Sequence, residues 1–259
     1  MFPSHDQEGQ GQKCLLPHFN IEARYMNDME KSQIVRGYNE PDYMKYDPNF
    51  WKIPDNTSIQ GYFQSTYYFE EHADQIKKEL TPNEDYMKDA IGYIAELHMR
   101  TGKPVVSLHL RRGDNTDHSN PSKELNNMYG DLGPNTFYGS YIKKALQKFD
   151  VKKNTFLIFS GGKRGTDDNT EDLQWCGKHL KKLIPEENLF VSVGGSVMDD
   201  FARIMHCHHN ILSHVSSFGW WAAYLNGMGG RQVAPLHYHP DRGDYTYRPG
   251  FYPKEWELC

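Results

Sequence analysis

The sequence predicts an α/β fold built around a mostly parallel sheet. From Pro104 onward, strand-like apolar runs alternate with stretches whose apolar residues recur every three or four positions, which is the pattern of βαβ units. The run 105–110 is apolar at both odd and even positions, as expected for a strand that is covered on both faces. No repeat of fixed period and no low-complexity tract interrupts this alternation.

Composition limits the classes of protein to consider. The 259 residues carry a net charge of −5, and this mild acidity argues against a nucleic-acid binder, which would show a basic face. No apolar stretch approaches the roughly 18 residues of a membrane span, and residues 1–13 lack the apolar core of a signal peptide. Four scattered cysteines without CxxC spacing indicate reduced thiols. We therefore expect a cytoplasmic protein, and peripheral contact with a membrane stays open.

The first hundred residues give the weaker signals. Residues 14–51 are rich in aromatic and turn residues and show no sustained period, so no element is assigned there. A strand that runs into a helix is predicted over residues 58–80. The next helix is marked by Thr81-Pro-Asn-Glu84, which has the form of a capping box with Pro82 at the first helical position. Gly102 supplies its C-terminal stop.

The rest of the chain is regular. Strands are predicted at 105–110, 155–160, 189–193, 210–213 and 232–235. The helices between them are marked by Ile142, Leu146 and Phe149, by Leu173, Cys176, Leu180 and Leu183, by Met198, Phe201 and Met205, and by the stretch 217–226. Residues 237–259 are predicted to form an extended tail that packs on the surface. The predicted domains are an N-terminal half at 1–102, a second half at 103–236 and this tail at 237–259.

The strongest chemical motif is His109-Leu-Arg-Arg-Gly-Asp114, which directly follows the first strand of the regular region. Ligands of open α/β sheets bind outside the carboxyl ends of strands, and arginine offers a planar fork of donors that matches phosphate oxygens. The motif therefore indicates an anion site, and its two arginines favour a diphosphate as the ligand. The alternative is a buried strand that ends in surface arginines paired with Asp114.

Two further strand ends carry chemistry. Phe156-Leu-Ile-Phe-Ser-Gly-Gly162 places Ser160 and two glycines at a sheet edge, where glycine lets a ligand approach the backbone; these are also ordinary turn residues. Asn210-Ile-Leu-Ser-His-Val-Ser-Ser-Phe-Gly-Trp-Trp221 leads a strand into a helix that starts at Ser216 and Ser217. Such a helix start is an anion cradle, although Ser216 could simply be the N-cap.

These motifs resemble those of the α-1,2-fucosyltransferases of glycosyltransferase family 11. The resemblance rests on His109-Leu-Arg-Arg-Gly-Asp114, on Gly61-Tyr-Phe-Gln-Ser65 and on Ser213-His-Val-Ser-Ser-Phe-Gly-Trp-Trp-Ala-Ala223. It implies a GT-B-like fold of two Rossmann-like halves and inverting transfer of fucose from GDP-fucose to the 2-hydroxyl of a β-galactoside. The resemblance implies that 1–102 is the acceptor-side half and that 103–236 is the nucleotide-sugar-binding half. The Gly-rich strand and helix with which the family opens are not found in these residues, so the N-terminal half is expected to be reduced.

The resemblance also implies roles for the candidate residues. Arg111 would neutralise the β-phosphate of the leaving GDP, and His109 would contact the nucleotide or brace that arginine. The other donor-binding candidates are Arg112, Ser160, Ser216, Ser217 and Phe218. Asp114 is the first candidate for the catalytic base, with His109 second. No Asp-x-Asp motif occurs, so neither a metal nor another cofactor is expected.

Several alternatives remain open at this point. Gly161 and Gly162 stand where the family has an acidic pair, so a different nucleotide sugar is one alternative. A binding protein of the same fold with little turnover is another. The cluster His206-Cys-His-His209, together with His237 and His239, could suggest zinc, although ligands on a helix usually lie three or four positions apart. The tripeptide Arg112-Gly-Asp114 matches an integrin-recognition motif but follows a buried strand.

Overall fold

The computed structural model describes residues 15–259 except 23, 25, 44, 114, 115, 117–135, 162–168, 215 and 238–248. The chain forms two compact units. The first unit comprises Met1–Thr81 and Thr246–Glu255, and the second unit comprises Pro82–Tyr245 and Trp256–Cys259. The functional halves proposed from the sequence stay a prediction, because a compact unit is not by itself a functional half.

The first unit holds short elements around a cluster of aromatic rings. Its helices and strands are α1 (Asp28–Ser32), β1 (Arg36–Asn39), β2 (Thr57–Gln60) and α2 (Ala73–Glu79). Strands β1 and β2 pair in parallel. The buried ring of Tyr68 lies with its centroid 4.9 Å from that of Tyr46, 5.0 Å from Phe50 and 5.3 Å from Phe63. The strand and helix predicted over residues 58–80 are both present.

The second unit is a doubly wound sheet with helices on both faces. Its elements are α3 (Glu84–Thr101), β3 (Val105–Leu110), α4 (Phe137–Leu146), β4 (Thr155–Ser160), α5 (Thr170–Leu180), β5 (Leu189–Val191), α6 (Val197–His206), β6 (His209–Ile211), α7 (Ser217–Tyr224), β7 (Gln232–Ala234) and β8 (Glu257–Leu258). The strand order is β5-β4-β3-β6-β7-β8, and every neighbouring pair is parallel. Counted from β3, this is the order 3-2-1-4-5-6 of the Rossmann fold. The predicted α/β class is confirmed, with one complete Rossmann-like unit and one reduced unit.

Strand β3 lies at the centre of this sheet and is buried along its whole length. Its even positions join the hydrophobic core with buried residues of α4 and α5, among them Ile142 and Leu180. The odd positions point to the other face, where Ser107 accepts a hydrogen bond from Asn210 Nδ2 at 2.7 Å and His109 packs against α7. Both faces of β3 are therefore covered, as the sequence predicts for this strand.

Two local predictions are wrong. Helix α3 begins at Glu84 after the N-cap residue Asn83, whose side chain makes no capping hydrogen bond. The expected capping box with Pro82 at the first helical position therefore does not form. The prediction of a surface tail over residues 237–259 left out a strand. Glu257–Leu258 pairs with β7 and is the sixth strand of the sheet. The predicted C-terminal stop of α3 is confirmed, since Gly102 is left-handed with φ 64°.

No helix in the described part of the chain is both long enough and apolar enough to cross a bilayer.

Candidate functional site

The candidate site lies in the second unit, at the carboxyl ends of β3 and β6. These neighbouring strands flank the point where the strand order reverses, and in open α/β sheets ligands bind in the crevice at this point. Arg111 follows β3, and Ser216 begins the helix that follows β6. The sheet topology therefore brings the arginine motif and the start of α7 to one edge of the sheet.

Arg111 is half-buried, and two hydrogen bonds help to hold it. Its backbone N–H donates to Ser213 Oγ at 2.8 Å, and its Nη1 donates to the carbonyl oxygen of Arg112 at 2.8 Å. A methyl group added at Gly161 would lie 3.4 Å from Nη1, so the guanidinium rests beside the backbone at the end of β4. These contacts fix Arg111 at the carboxyl edge of the sheet.

Two buried hydroxyl groups, those of Ser213 and Tyr138, support the backbone of Arg111. Ser213 Oγ lies 2.8 Å from Tyr138 Oη. Burial raises the pKa of the Tyr138 phenol above its usual value, so the phenol stays neutral and hydrogen-bonded. Neither hydroxyl was singled out from the sequence, because Ser213 and Tyr138 are 75 positions apart and no local pattern predicts their contact.

His109 is buried beneath the start of α7. Its ring centroid lies 5.8 Å from that of Phe218, and its Nδ1 has no hydrogen-bond partner among the described residues. Burial, and to a smaller extent the charge of Arg111, lowers the pKa of His109 to about 3. The imidazole is therefore neutral at physiological pH. It can donate or accept a hydrogen bond but does not add a positive charge to an anion site.

Arg112 is directed into the protein. Its Nε donates to Asp172 Oδ1 at 2.9 Å, and its guanidinium carbon lies 3.5 Å from the centroid of the Trp175 ring. The two side chains of the ion pair are 9% and 13% exposed. Sequence reasoning missed Asp172 and Trp175; their i, i+3 spacing, which puts both on one face of a helix, is the signal that could have suggested them. Donor binding by Arg112 stays a prediction.

The candidate serines differ in what their hydroxyl groups do. Ser160 is buried and its Oγ donates to the carbonyl oxygen of Leu110 at 2.9 Å. Ser216 is the N-cap of α7 and its Oγ accepts from the Gly219 N–H at 3.3 Å, so the capping role is present. Ser217 is the exposed first residue of α7. Phosphate binding by these serines stays a prediction.

Two predicted site residues, Asp114 and Gly162, lie outside the described residues, and so does His239 of the suggested zinc cluster. Three other members of that cluster each hydrogen-bond a different part of the backbone: His206 Nδ1 with Ala202 O at 2.8 Å, His208 Nδ1 with Val105 N at 3.1 Å and His209 Nδ1 with Arg231 N at 2.9 Å. Within the described ranges, no group of three His, Cys, Asp or Glu side chains could hold a metal ion.

Comparison with known proteins gives one family. Residues 9–257 match the model of glycosyl transferase family 11. Galactoside alpha-(1,2)-fucosyltransferase 2 of Mus musculus is 27% identical over 222 residues, covering 83% of this chain and 57% of that protein. Galactoside 2-alpha-L-fucosyltransferase SEC1 of Bos taurus is 25% identical over 257 residues, covering 93% of this chain and 62% of that protein. The resemblance drawn from the motifs is confirmed, and the chain spans just over half the length of the mouse relative.

Among solved structures, the E. coli ADP-heptose LPS heptosyltransferase II is similar with a TM-score of 0.40 and 14% identity, over 70% of this chain and 45% of that chain.

Proposed function

We propose, since the chain belongs to glycosyl transferase family 11, that it transfers fucose from GDP-fucose to the 2-hydroxyl of a β-galactoside. The observation that carries this proposal is the meeting of Arg111 and the start of α7 at the point where the strand order reverses. A guanidinium and the free backbone N–H groups of a helix start are both suited to the oxygens of a diphosphate. The sugar and the acceptor in this proposal are those that the relatives' names give, fucose and a galactoside.

In the proposed reaction, the bond between the fucose anomeric carbon and the GDP β-phosphate oxygen breaks, and GDP leaves with the electron pair. The acceptor oxygen forms the new bond from the opposite face, and its proton passes to a base. Arg111 would stabilise the negative charge where it develops on the leaving GDP. This role for arginine removes the need for a metal, so we propose transfer without one.

The properties of His109 bear on the identity of the base. A general base has to lie within hydrogen-bond reach of the acceptor hydroxyl, and the His109 side chain is only 5% exposed beneath the start of α7. Asp114 therefore stays our first candidate for the base, and His109 is assigned to packing and to hydrogen bonding of the nucleotide.

The test is Arg111→Ala. We expect transfer from GDP-fucose to lactose to fall by about a hundredfold or more, the scale of losing one donor that stabilises developing negative charge. The readout is kcat/KM for labelled fucose transfer, with EDTA present to test metal independence. The control is Arg100→Ala, which removes an exposed arginine of α3.

Activity that survives Arg111→Ala would contradict the assignment. Stabilisation of the unaltered protein by GDP without any product would indicate a binding protein instead. Stronger stabilisation by UDP or another nucleoside diphosphate than by GDP would indicate a different donor.

A further inference from the structure

A carboxylate of α5 bridges two groups of the turn that follows β3. Asp172 Oδ1 accepts from Arg112 Nε at 2.9 Å, and Oδ2 of the same carboxylate accepts from the Gly113 backbone N–H at 2.9 Å. Gly113 is left-handed, with φ 59°, so the chain turns sharply here. One side chain therefore fixes both the side chain and the backbone of this turn.

Trp175, one helical turn further along α5, completes the contact. Its ring lies 3.5 Å from the Arg112 guanidinium carbon and is stacked on His179 with centroids 4.2 Å apart. Arg112 is thus restrained by an ion pair with Asp172 and by a cation–π contact with the Trp175 ring.

This cluster connects directly to Arg111. The carbonyl oxygen of Arg112 accepts from Arg111 Nη1 at 2.8 Å, so the orientation of the Arg112 peptide helps to set the position of the Arg111 guanidinium. The backbone of Arg111 is fixed from the other side by Ser213. The turn is therefore held from α5 on one side and from the end of β6 on the other.

We infer that Asp172 and Trp175 are positioning residues for diphosphate binding, and that they act through Arg112 on Arg111. The inference rests on the proposed function, because it assigns these two residues to the same site. Arg112 then contributes by orienting its neighbour rather than by contacting the donor. Since the β-phosphate is the group that Arg111 would meet, loss of the cluster weakens binding of GDP much more than binding of GMP.

The experiment uses Asp172→Asn and Trp175→Leu in the full chain, with Glu171→Gln as the matched control. Glu171 lies in the same first turn of α5 and is exposed, so the control removes an equal charge from the same helix end. Binding of GDP and GMP is measured by calorimetry. We expect Asp172→Asn to weaken GDP binding about tenfold or more, the scale of one hydrogen bond to a charged group, and the control to leave it unchanged.

A double substitution tests the route through Arg111. If the cluster acts through Arg111, Asp172→Asn has little further effect on GDP binding in the Arg111→Ala background, because coupled residues are not additive. Fully additive effects would overturn the inference. So would equal weakening of GDP and GMP, which would mean that Asp172 contacts the nucleoside or supports the fold as a whole.

The experiments also distinguish failure of the proposed function from failure of the positioning role. If the unaltered protein binds neither GDP nor GMP, the proposed function is wrong, and hydrogen exchange of the peptide over residues 105–113 decides the positioning role. Faster exchange in Asp172→Asn than in Glu171→Gln supports a role in holding the turn. Equal exchange in the two variants overturns it.

Discussion

At Gly219 the ring of His109 leaves no space for a side chain. A Cβ added there would lie 2.4 Å from His109 Nδ1 and 3.2 Å from Cε1, and this rigid, buried ring cannot move away without disturbing β3. An added methyl group normally stabilises a helix by about 0.5–1 kcal/mol relative to glycine. At this position we expect the opposite, a loss of about 1–3 kcal/mol from overpacking, together with weaker GDP binding.

The matched control is Gly92→Ala in α3, because nothing lies within 4 Å of an added Cβ at that position. Urea unfolding of the two variants gives the comparison. Equal stabilisation by Gly219→Ala and Gly92→Ala would show that α7 does not rest on His109 as described.

Among the elements, α6 is tied to the end of β5 by the carboxylate of Asp200, whose side chain is 19% exposed. Asp200 Oδ1 accepts from Ser192 Oγ at 2.6 Å and lies 3.6 Å from Arg203 Nη1. Burial raises the pKa of Asp200 from 3.8 to about 6, against the opposing effects of these two partners. Because its folded pKa lies above its unfolded one, the carboxyl stabilises the fold most when protonated, and this contribution is lost as the pH rises from about 4 to 6.

We therefore expect Asp200→Asn to gain stability relative to the unaltered protein as the pH rises from 4 to 7. The expected gain is about 2–3 kcal/mol, because a shift of one pKa unit corresponds to 1.36 kcal/mol. Urea unfolding at the two pH values measures the difference in free energy. Asp89→Asn, at an exposed position of α3, is the control. A stability difference between Asp200→Asn and the unaltered protein that does not change with pH would contradict a raised pKa of Asp200.

Elements with a strong local signal could be predicted, and contacts between distant segments could not. The bounds of β3 and β4 agree with the sequence because both strands are buried on both faces and are therefore rich in β-branched, aliphatic and aromatic residues. Strand β8 has two residues, too few to show a period. Residues 14–51 of the first unit gave no signal because ring packing around Tyr68, rather than an amphipathic stripe, forms the interior there.

In the candidate site, too, local patterns could be predicted from the sequence and contacts between distant segments could not. The motif around His109 and Arg111 was visible because a strand end, a histidine and two arginines lie within a few positions. The contact between Arg112 and Asp172 spans 60 positions and joins a strand end to a helix on one face of the sheet. Periodicity shows which face of an element is buried but not which side chain it meets there.

For the molecule as a whole, the division into two compact units lets us predict which unit binds the nucleotide. All the described donor-binding candidates, including Arg111 and Ser217, belong to the second unit, at the carboxyl ends of its central strands. We expect GDP to slow hydrogen exchange in peptides over residues 105–113 and 209–220, because ligands stabilise the state to which they bind. Peptides that cover β1 and β2 should exchange as they do without ligand.

Hydrogen exchange with mass spectrometry, with and without GDP, measures this pattern, and guanosine serves as the comparison that lacks phosphate. Protection over residues 105–113 with GDP but not with guanosine is the result expected if Arg111 meets the diphosphate. Protection confined to β1 and β2 would place the nucleotide on the first unit and would remove the reason for assigning the diphosphate to the point where the strand order reverses.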